Sequence, residues 1–187
     1  MWDIRQFAAL GPLLPSLPDQ LQAEVRAFSA HFQSSIAPAL TRLPTQVVHA
    51  DFNPHNLLAD PDAPDAITGI LDFGDMVRTP RICDLAVAAS YLVDPEAPLS
   101  LLLPLVTAYH ARLPLLPQEL GLLPDLITAR MLTTLTIAGW RAARYPENAA
   151  YILRNAPSAE TGLLALRKAD PARLADALFT ACERPRP

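Results

Sequence analysis

His49-Ala50-Asp51-Phe52-Asn53-Pro54-His55-Asn56 sets an Asp and an Asn five residues apart, and Leu71-Asp72-Phe73-Gly74-Asp75 adds a second carboxylate downstream. A loop of that length lets Asp51 and Asn56 face one cavity, and a short hairpin over 57–71 returns the chain with Asp72 beside them. This set suits phosphoryl transfer. One Asp accepts or orients a hydroxyl proton, while a carboxamide and a second carboxylate hold a divalent cation against nucleotide phosphates. Magnesium takes about six oxygen ligands at roughly 2.1 Å and keeps several waters, so Asn56, Asp72 and phosphates form a sufficient set. Asp51 is then left off the metal to act on the hydroxyl.

Each half of the pattern follows an apolar, strand-like run: Gln46-Val47-Val48 before the first and Ile67-Thr68-Gly69-Ile70-Leu71 before the second. Strands are predicted at Val47 to His49 and Ile67 to Leu71, with turn residues supplied by Asp60-Pro61-Asp62-Ala63-Pro64-Asp65. Upstream, Leu21, Val25, Phe28, Phe32 and Ile36 recur at helical spacing between Pro18 and Pro38, which predicts one amphipathic helix over Asp19 to Leu40.

From Pro80 onward the pattern is helical. Helices are predicted over Ile82 to Leu92, Leu99 to Arg112, Gln118 to Arg144, Glu147 to Arg154, Ala159 to Lys168 and Pro171 to Glu183. Most of the twenty prolines fall between periodic segments, and Pro104 and Pro124 are expected to kink or delay two helices. The predicted fold class is α+β, mainly helical. It comprises a single domain over 1–187, with a helical segment at 1–45, catalytic and metal loops at 46–79, and a helical body at 80–187.

His49-Ala50-Asp51 through Leu58, and Gly69 through Tyr91, resemble the catalytic core of the aminoglycoside phosphotransferase and choline kinase superfamily. Its small-molecule kinases share the protein kinase fold. The run Ile70-Leu71-Asp72-Phe73-Gly74-Asp75-Met76-Val77-Arg78-Thr79, continuing to Cys83-Asp84-Leu85-Ala86-Val87-Ala88, looks most like the hydroxylysine kinase branch. The resemblance implies a phosphotransferase that uses Mg2+ with ATP or GTP and moves the γ-phosphoryl to a hydroxyl. The acceptor would be a small, amino-bearing compound, such as a hydroxylated amino acid or an aminoglycoside-like molecule. The superfamily commonly has Gly where this chain has Ala50, which preserves the loop only if the backbone angles suit a residue with a Cβ.

A complete kinase also needs a glycine-rich loop over the phosphates and a strand lysine. The six glycines stand scattered at positions 11, 69, 74, 121, 139 and 162, and Lys168 is the sole lysine. Arginine's planar fork does not replace a lysine's point charge. The chain is therefore expected to be the carboxy-terminal lobe alone, with the amino-terminal lobe absent or carried on a neighbouring or fused chain. The alternative is a catalytically inactive binding module or truncated fragment. A remaining rival is a metallohydrolase holding zinc or iron with His49, Asp51, His55 and Asp72.

Around these groups, His49 is expected to brace the loop, and His55 to face solvent or touch substrate. Asn53 is expected to fix the loop or approach the transferred phosphate. Asp75 either binds a second magnesium or caps the turn after Gly74. The resemblance makes Asp84 a tie between its helix and the catalytic loop. Arg78 and Arg81 are candidates for a substrate carboxylate or phosphate, or else surface ion pairs. Trp140, Arg141, Arg144 and Tyr145 lie near the helix end where the superfamily often builds its acceptor pocket, with core packing the other reading of Trp140.

Composition bounds the partners. The chain is 51% hydrophobic and 18% charged, which reads as globular, and its net charge is -4. No basic stripe with interleaved aromatics appears, so nucleic acid is not expected as a partner. The apolar runs at Leu99 to Val106 and Leu132 to Trp140 read as too short or too interrupted to span a bilayer. Cys83 and Cys182 are expected to be reduced and buried, and cytoplasmic residence is the expectation.

Overall fold

Helix α5, Pro117–Arg144, forms the axis of the structure, a computed structural model that describes residues 2–183. Its first turn explains its start. Pro117 needs no amide hydrogen at the first helical position, and Glu119 turns back so that its Oε2 accepts from the Leu116 N–H at 2.8 Å. Leu123, Leu126, Ile127, Met131, Leu132, Leu135 and Ile137 are all buried, so α5 is apolar on nearly every face. By length and composition alone it is also long and apolar enough to cross a membrane, and 72% of its apolar 18-residue stretch is buried inside the fold. The run Leu132 to Trp140, expected to be too short or too interrupted to span a bilayer, lies in the second half of this helix.

The amino-terminal segment Ile4–Ser16 is a 3-10 helix packed along α5. Ile4, Phe7, Leu10 and Leu14 are its buried residues, and Leu17 just after it is buried as well. The spacing of three between Ile4, Phe7 and Leu10 matches three residues per turn, so one stripe faces α5. Gly139 permits the approach, since a Cβ there would come within 2.6 Å of Leu17 Cδ2.

The helix expected over 19–40 keeps its path but not its register. It is α1, Asp19–His31, then a π-helical turn at Phe32–Ile36, then α2, Ala37–Leu40. The cause is Pro38, which lacks an amide and crowds the carbonyl four residues back. Just before it, the Ala37 N–H bonds to the Phe32 oxygen, one residue farther back than in an α-helix.

Two antiparallel ribbons carry the loops. In the first, β1, Thr45–Val48, pairs with β4, Val77–Pro80, with Val48 opposite Val77. In the second, β2, Leu57–Asp60, pairs with β3, Ala63–Ile70, with Leu57 opposite Ile70. The expected hairpin is present, and the strand at Val77–Pro80 is an additional partner that closes the motif from the other side. The chain then enters α3, Ile82–Ser90, and α4, Leu99–Arg112.

After α5, the helix expected at Glu147 to Arg154 shrinks to a 3-10 turn at Pro146–Asn148 and a short α6, Ala149–Ile152. Helices α7, Ala156–Lys168, and α8, Pro171–Glu183, pack against α5 and complete the mainly helical α+β body. Both cysteines are free. Cys83 is buried, which pushes its thiol up to about 12, whereas Cys182 is only partly buried, contrary to expectation.

Candidate functional site

The loop 49–56 runs from β1 to β2 and the loop 71–76 from β3 to β4, so the two ribbons hold both loops together at both ends. Two direct bonds cross between them. His49 Nε2 lies 2.8 Å from the Leu71 carbonyl oxygen, and the Leu71 N–H donates to the Asn56 oxygen at 2.8 Å. Asp72 therefore begins one residue from a backbone bond to Asn56.

His49 is 9% exposed, and both its ring nitrogens are engaged. With Nε2–H donating to Leu71, Nδ1 is left to accept from the Asp51 N–H at 3.3 Å. Phe52 and Phe73 pack on its ring at centroid distances of 6.0 and 5.0 Å. These contacts leave no lone pair for a metal. Among the described residues no three His, Cys, Asp or Glu side chains gather as a metal cluster, so the His49, Asp51, His55 and Asp72 set is not assembled.

Ala50 has φ 65°, the left-handed region that favours glycine. What stabilises it there is Asp84, whose Oδ1 accepts the Ala50 N–H at 2.7 Å from the start of α3. Burial raises the Asp84 carboxyl above its ordinary value, opposed by that hydrogen bond and by His49.

Asp51 sits at the centre of a donor network. Arg130 Nη2 donates to its Oδ1 at 2.8 Å, while Asn53 Nδ2 and Asn56 Nδ2 donate to its Oδ2 at 3.1 and 3.0 Å. The same two amides also reach the Asp51 carbonyl oxygen, both at 2.9 Å. Asn53 is buried and accepts the His55 N–H through its own Oδ1, so it ties the loop on both sides. His55 itself is exposed.

Arg130 was not foreseen. It projects from α5 with a side chain 2% exposed, lies 5.0 Å from the Trp2 ring centroid, and its Nε is buried with no acceptor among the described residues. Leaving a guanidinium donor unsatisfied is costly, and the return is an Asp51 carboxylate held in one orientation. A sequence signal existed: Arg130 is the sole charge in the apolar run Leu126 to Ile137, and a charge there must find a partner.

Asp72 occupies the left-handed region, with φ 59° and ψ 67°. It is exposed, and its side chain has no hydrogen-bond partner among the described residues. A non-glycine residue strained in this way is typical of functional loops. Because Asn56 spends its Nδ2 on Asp51, its Oδ1 is the free end of the amide. A carboxamide oxygen and a carboxylate are suitable donors for magnesium, so these residues fit the ion. Asp75 is exposed in the 3-10 turn at Phe73–Asp75.

The candidate arginines separate. Arg78 is exposed on β4 opposite Val47 and has no ion-pair partner among the described residues. Arg81 is committed elsewhere. Its Nε and Nη2 donate to Glu119 Oε1 and Oε2 at 2.8 and 2.6 Å, and Nη2 also reaches the Pro114 oxygen at 2.7 Å. Hydrogen bonding to Glu119 raises the Arg81 pKa, and Glu119 is fully buried. A substrate contact by Arg81 would have to break this fork, so its reading as a substrate residue is replaced by a structural one.

Trp140 is half-buried, and Arg144 is exposed with its guanidinium turned to Tyr145. Fourteen residues of helix separate Arg144 from Arg130, roughly 20 Å of rise, whereas Arg141 lines a cavity together with Asp51 and Arg130. Leu58, Ile67, Ile70, Leu71, Phe73 and Met76 are exposed on the two ribbons and their loops, forming an apolar rim.

The chain is 33% identical to a hydroxylysine kinase of Danio rerio over 138 residues, which is 72% of this chain and 39% of that protein. It is 26% identical to the Bos taurus hydroxylysine kinase over 161 residues, covering 82% of this chain and 43% of the relative. The chain thus spans about two fifths of the length of these curated relatives. The family model for phosphotransferase enzymes matches residues 1–123, which contain the paired loops and the Asp84 anchor, and on that match the chain belongs to the phosphotransferase enzyme (APH) family.

Proposed function

We propose that this chain is the carboxy-terminal, catalytic lobe of a small-molecule kinase that transfers a nucleotide γ-phosphoryl to a hydroxyl of a small, amino-bearing acceptor. The observation that carries this reading is the pairing of the two loops, which sets Asp51, held by Arg130, beside Asn56 and next to the segment bearing Asp72. Asp51 orients the acceptor hydroxyl and receives its proton. Its ion pair with Arg130 fixes the orientation of the carboxylate, in keeping with a reaction that rests on positioning. Asn56 and Asp72 would hold the magnesium, which neutralises charge on the phosphates when bound. His49, Asn53 and Asp84 fix the loop. The hydroxylysine kinase relatives support a hydroxylated amino acid as acceptor.

In this reading the phosphate-covering loop and strand lysine come from another segment or chain seated over the apolar rim. The same rim favours a second reading, in which the lobe is a silent binding module. The reading extends to residence in the cytoplasm, in keeping with two free thiols. The deciding assay supplies Mg-ATP and hydroxylated amino acids to the 187-residue chain, alone and joined to an amino-terminal lobe, with phosphorus NMR of the products. A phosphomonoester formed by the joined protein and lost in Asp51→Asn supports the kinase. Nucleotide binding without product supports the silent module.

A further inference from the structure

The cavity beside Asp51 has a charge pattern that the phosphoryl-transfer groups do not use. It is about 130 Å3 in volume, and three arginines, Arg130, Arg141 and Arg154, are among its lining residues, with Asp51 the single acidic residue beside them. Arg130 is occupied by Asp51. Arg141 and Arg154 have no carboxylate partner among the described residues.

Their placement is built by the fold. On α5, Arg130, Thr134, Ala138 and Arg141 follow one helical face, so Arg141 shares the cavity wall with the residue that grips Asp51. Arg154 approaches from the segment after α6. Its guanidinium carbon lies 4.0 Å from the Tyr151 ring centroid, and Nη1 donates to the Tyr151 oxygen at 3.1 Å. Stacking and one backbone bond restrict the guanidinium while leaving its other donors free, the state in which a planar fork best receives a carboxylate.

We propose that Arg141 and Arg154 bind the carboxylate of the acceptor, so that the substrate is a hydroxy acid of amino-acid size with its hydroxyl directed at Asp51. The inference rests on the kinase reading above and deepens it by separating two acceptor classes. A polycationic aminoglycoside would meet two unpaired guanidinium groups. It would also need far more room, since pockets for drug-sized ligands start at roughly 300 Å3. A small zwitterion meets neither obstacle.

Isothermal titration of the full chain tests this without requiring turnover. The probes are hydroxylysine, homoserine and serine, each set against its decarboxylated amino alcohol, with kanamycin as the polycation. The wild type is expected to bind at least one amino acid at least tenfold more tightly than its decarboxylated partner, and kanamycin more weakly still. Arg141→Gln and Arg154→Gln are each expected to remove most of that preference while leaving the amino alcohol's Kd within about twofold, and Arg154→Lys to restore part of it. Equal binding of the paired probes, tighter binding of kanamycin, no binding of any amino acid, or an unchanged preference in both Gln variants would overturn the proposal. Failure of phosphoryl transfer with this preference intact would instead count against the kinase reading.

Discussion

Arg130 Nη2 donates to Asp51 Oδ1 across 2.8 Å, joining the middle of the core helix to the loop 49–56 through a side chain that is itself only 2% exposed. The Asp51 partner is 23% exposed, so one end of the pair faces the cavity while the other is locked in the core. Removing the guanidinium frees the carboxylate to rotate and leaves a void beside Trp2. Arg130→Ala is expected to lower stability by about 3 kcal/mol, seen as a lower denaturation midpoint. In the complete enzyme it is expected to cut kcat by tens of fold with nucleotide affinity little changed. Wild-type kcat in this variant would remove Arg130 from the site.

Asp72 holds its place against its own backbone preference. Replacing it with Gly releases the left-handed strain at φ 59° and, because the side chain is exposed, sacrifices no packing. Asp72→Gly is therefore expected to keep or raise stability by up to about 1 kcal/mol. The same change is expected to weaken magnesium-dependent nucleotide binding by tenfold or more in the complete enzyme. Calorimetric melting and nucleotide titration at several magnesium concentrations measure the two effects separately, and an unaltered magnesium dependence counts against the metal assignment.

The Arg81 and Glu119 fork is expected to be structural in its effect. Glu119→Ala strips the partner from Arg81 and leaves the Leu116 N–H uncapped at the start of α5. A loss of about 3 kcal/mol is expected by chemical denaturation. Pairing Arg81→Met with Glu119→Leu should recover part of it, since apolar residues of similar size often replace a buried ion pair well. No loss in Glu119→Ala would contradict the assignment.

Asp84 gives a pH dependence whose sign follows from its burial. Its carboxyl titrates above the ordinary value of 3.8 in the folded protein, so its contribution to stability is fully present below that value and is lost as pH rises through the raised folded value. Asp84→Asn keeps an oxygen to accept the Ala50 N–H and removes the titration. The stability of wild type minus that of Asp84→Asn is expected to fall as pH rises from 4 toward neutrality, read from urea midpoints. A difference that grows with pH would contradict this account of the anchor.

Local patterns carried much of the fold. The apolar runs before each motif marked β1 and β3, and the helical spacing of Leu21, Val25 and Phe28 marked α1, because each signal lies within one element. The 3-10 segment was missed although Ile4, Phe7 and Leu10 repeat every three residues, a period usually passed over because long 3-10 runs are uncommon. The π-helical turn was invisible because a proline reveals an interruption but not its form. In the site, the approach of the two loops was readable from spacing, since the two short ribbons make that pairing nearly local. Arg130 lies 79 residues from Asp51 and Glu119 lies 38 from Arg81, and pairings at that range depend on how α5 is laid across the loops.

The most direct test of the catalytic assignment is the turnover of Asp51→Asn in the complete enzyme, under saturating Mg-ATP and acceptor. The amide keeps an oxygen for Arg130 but cannot take the hydroxyl proton. A fall in kcat of a hundredfold or more with nucleotide Kd within about twofold of wild type is the expected result. Undiminished turnover would contradict the assignment of Asp51 as the residue that acts on the acceptor.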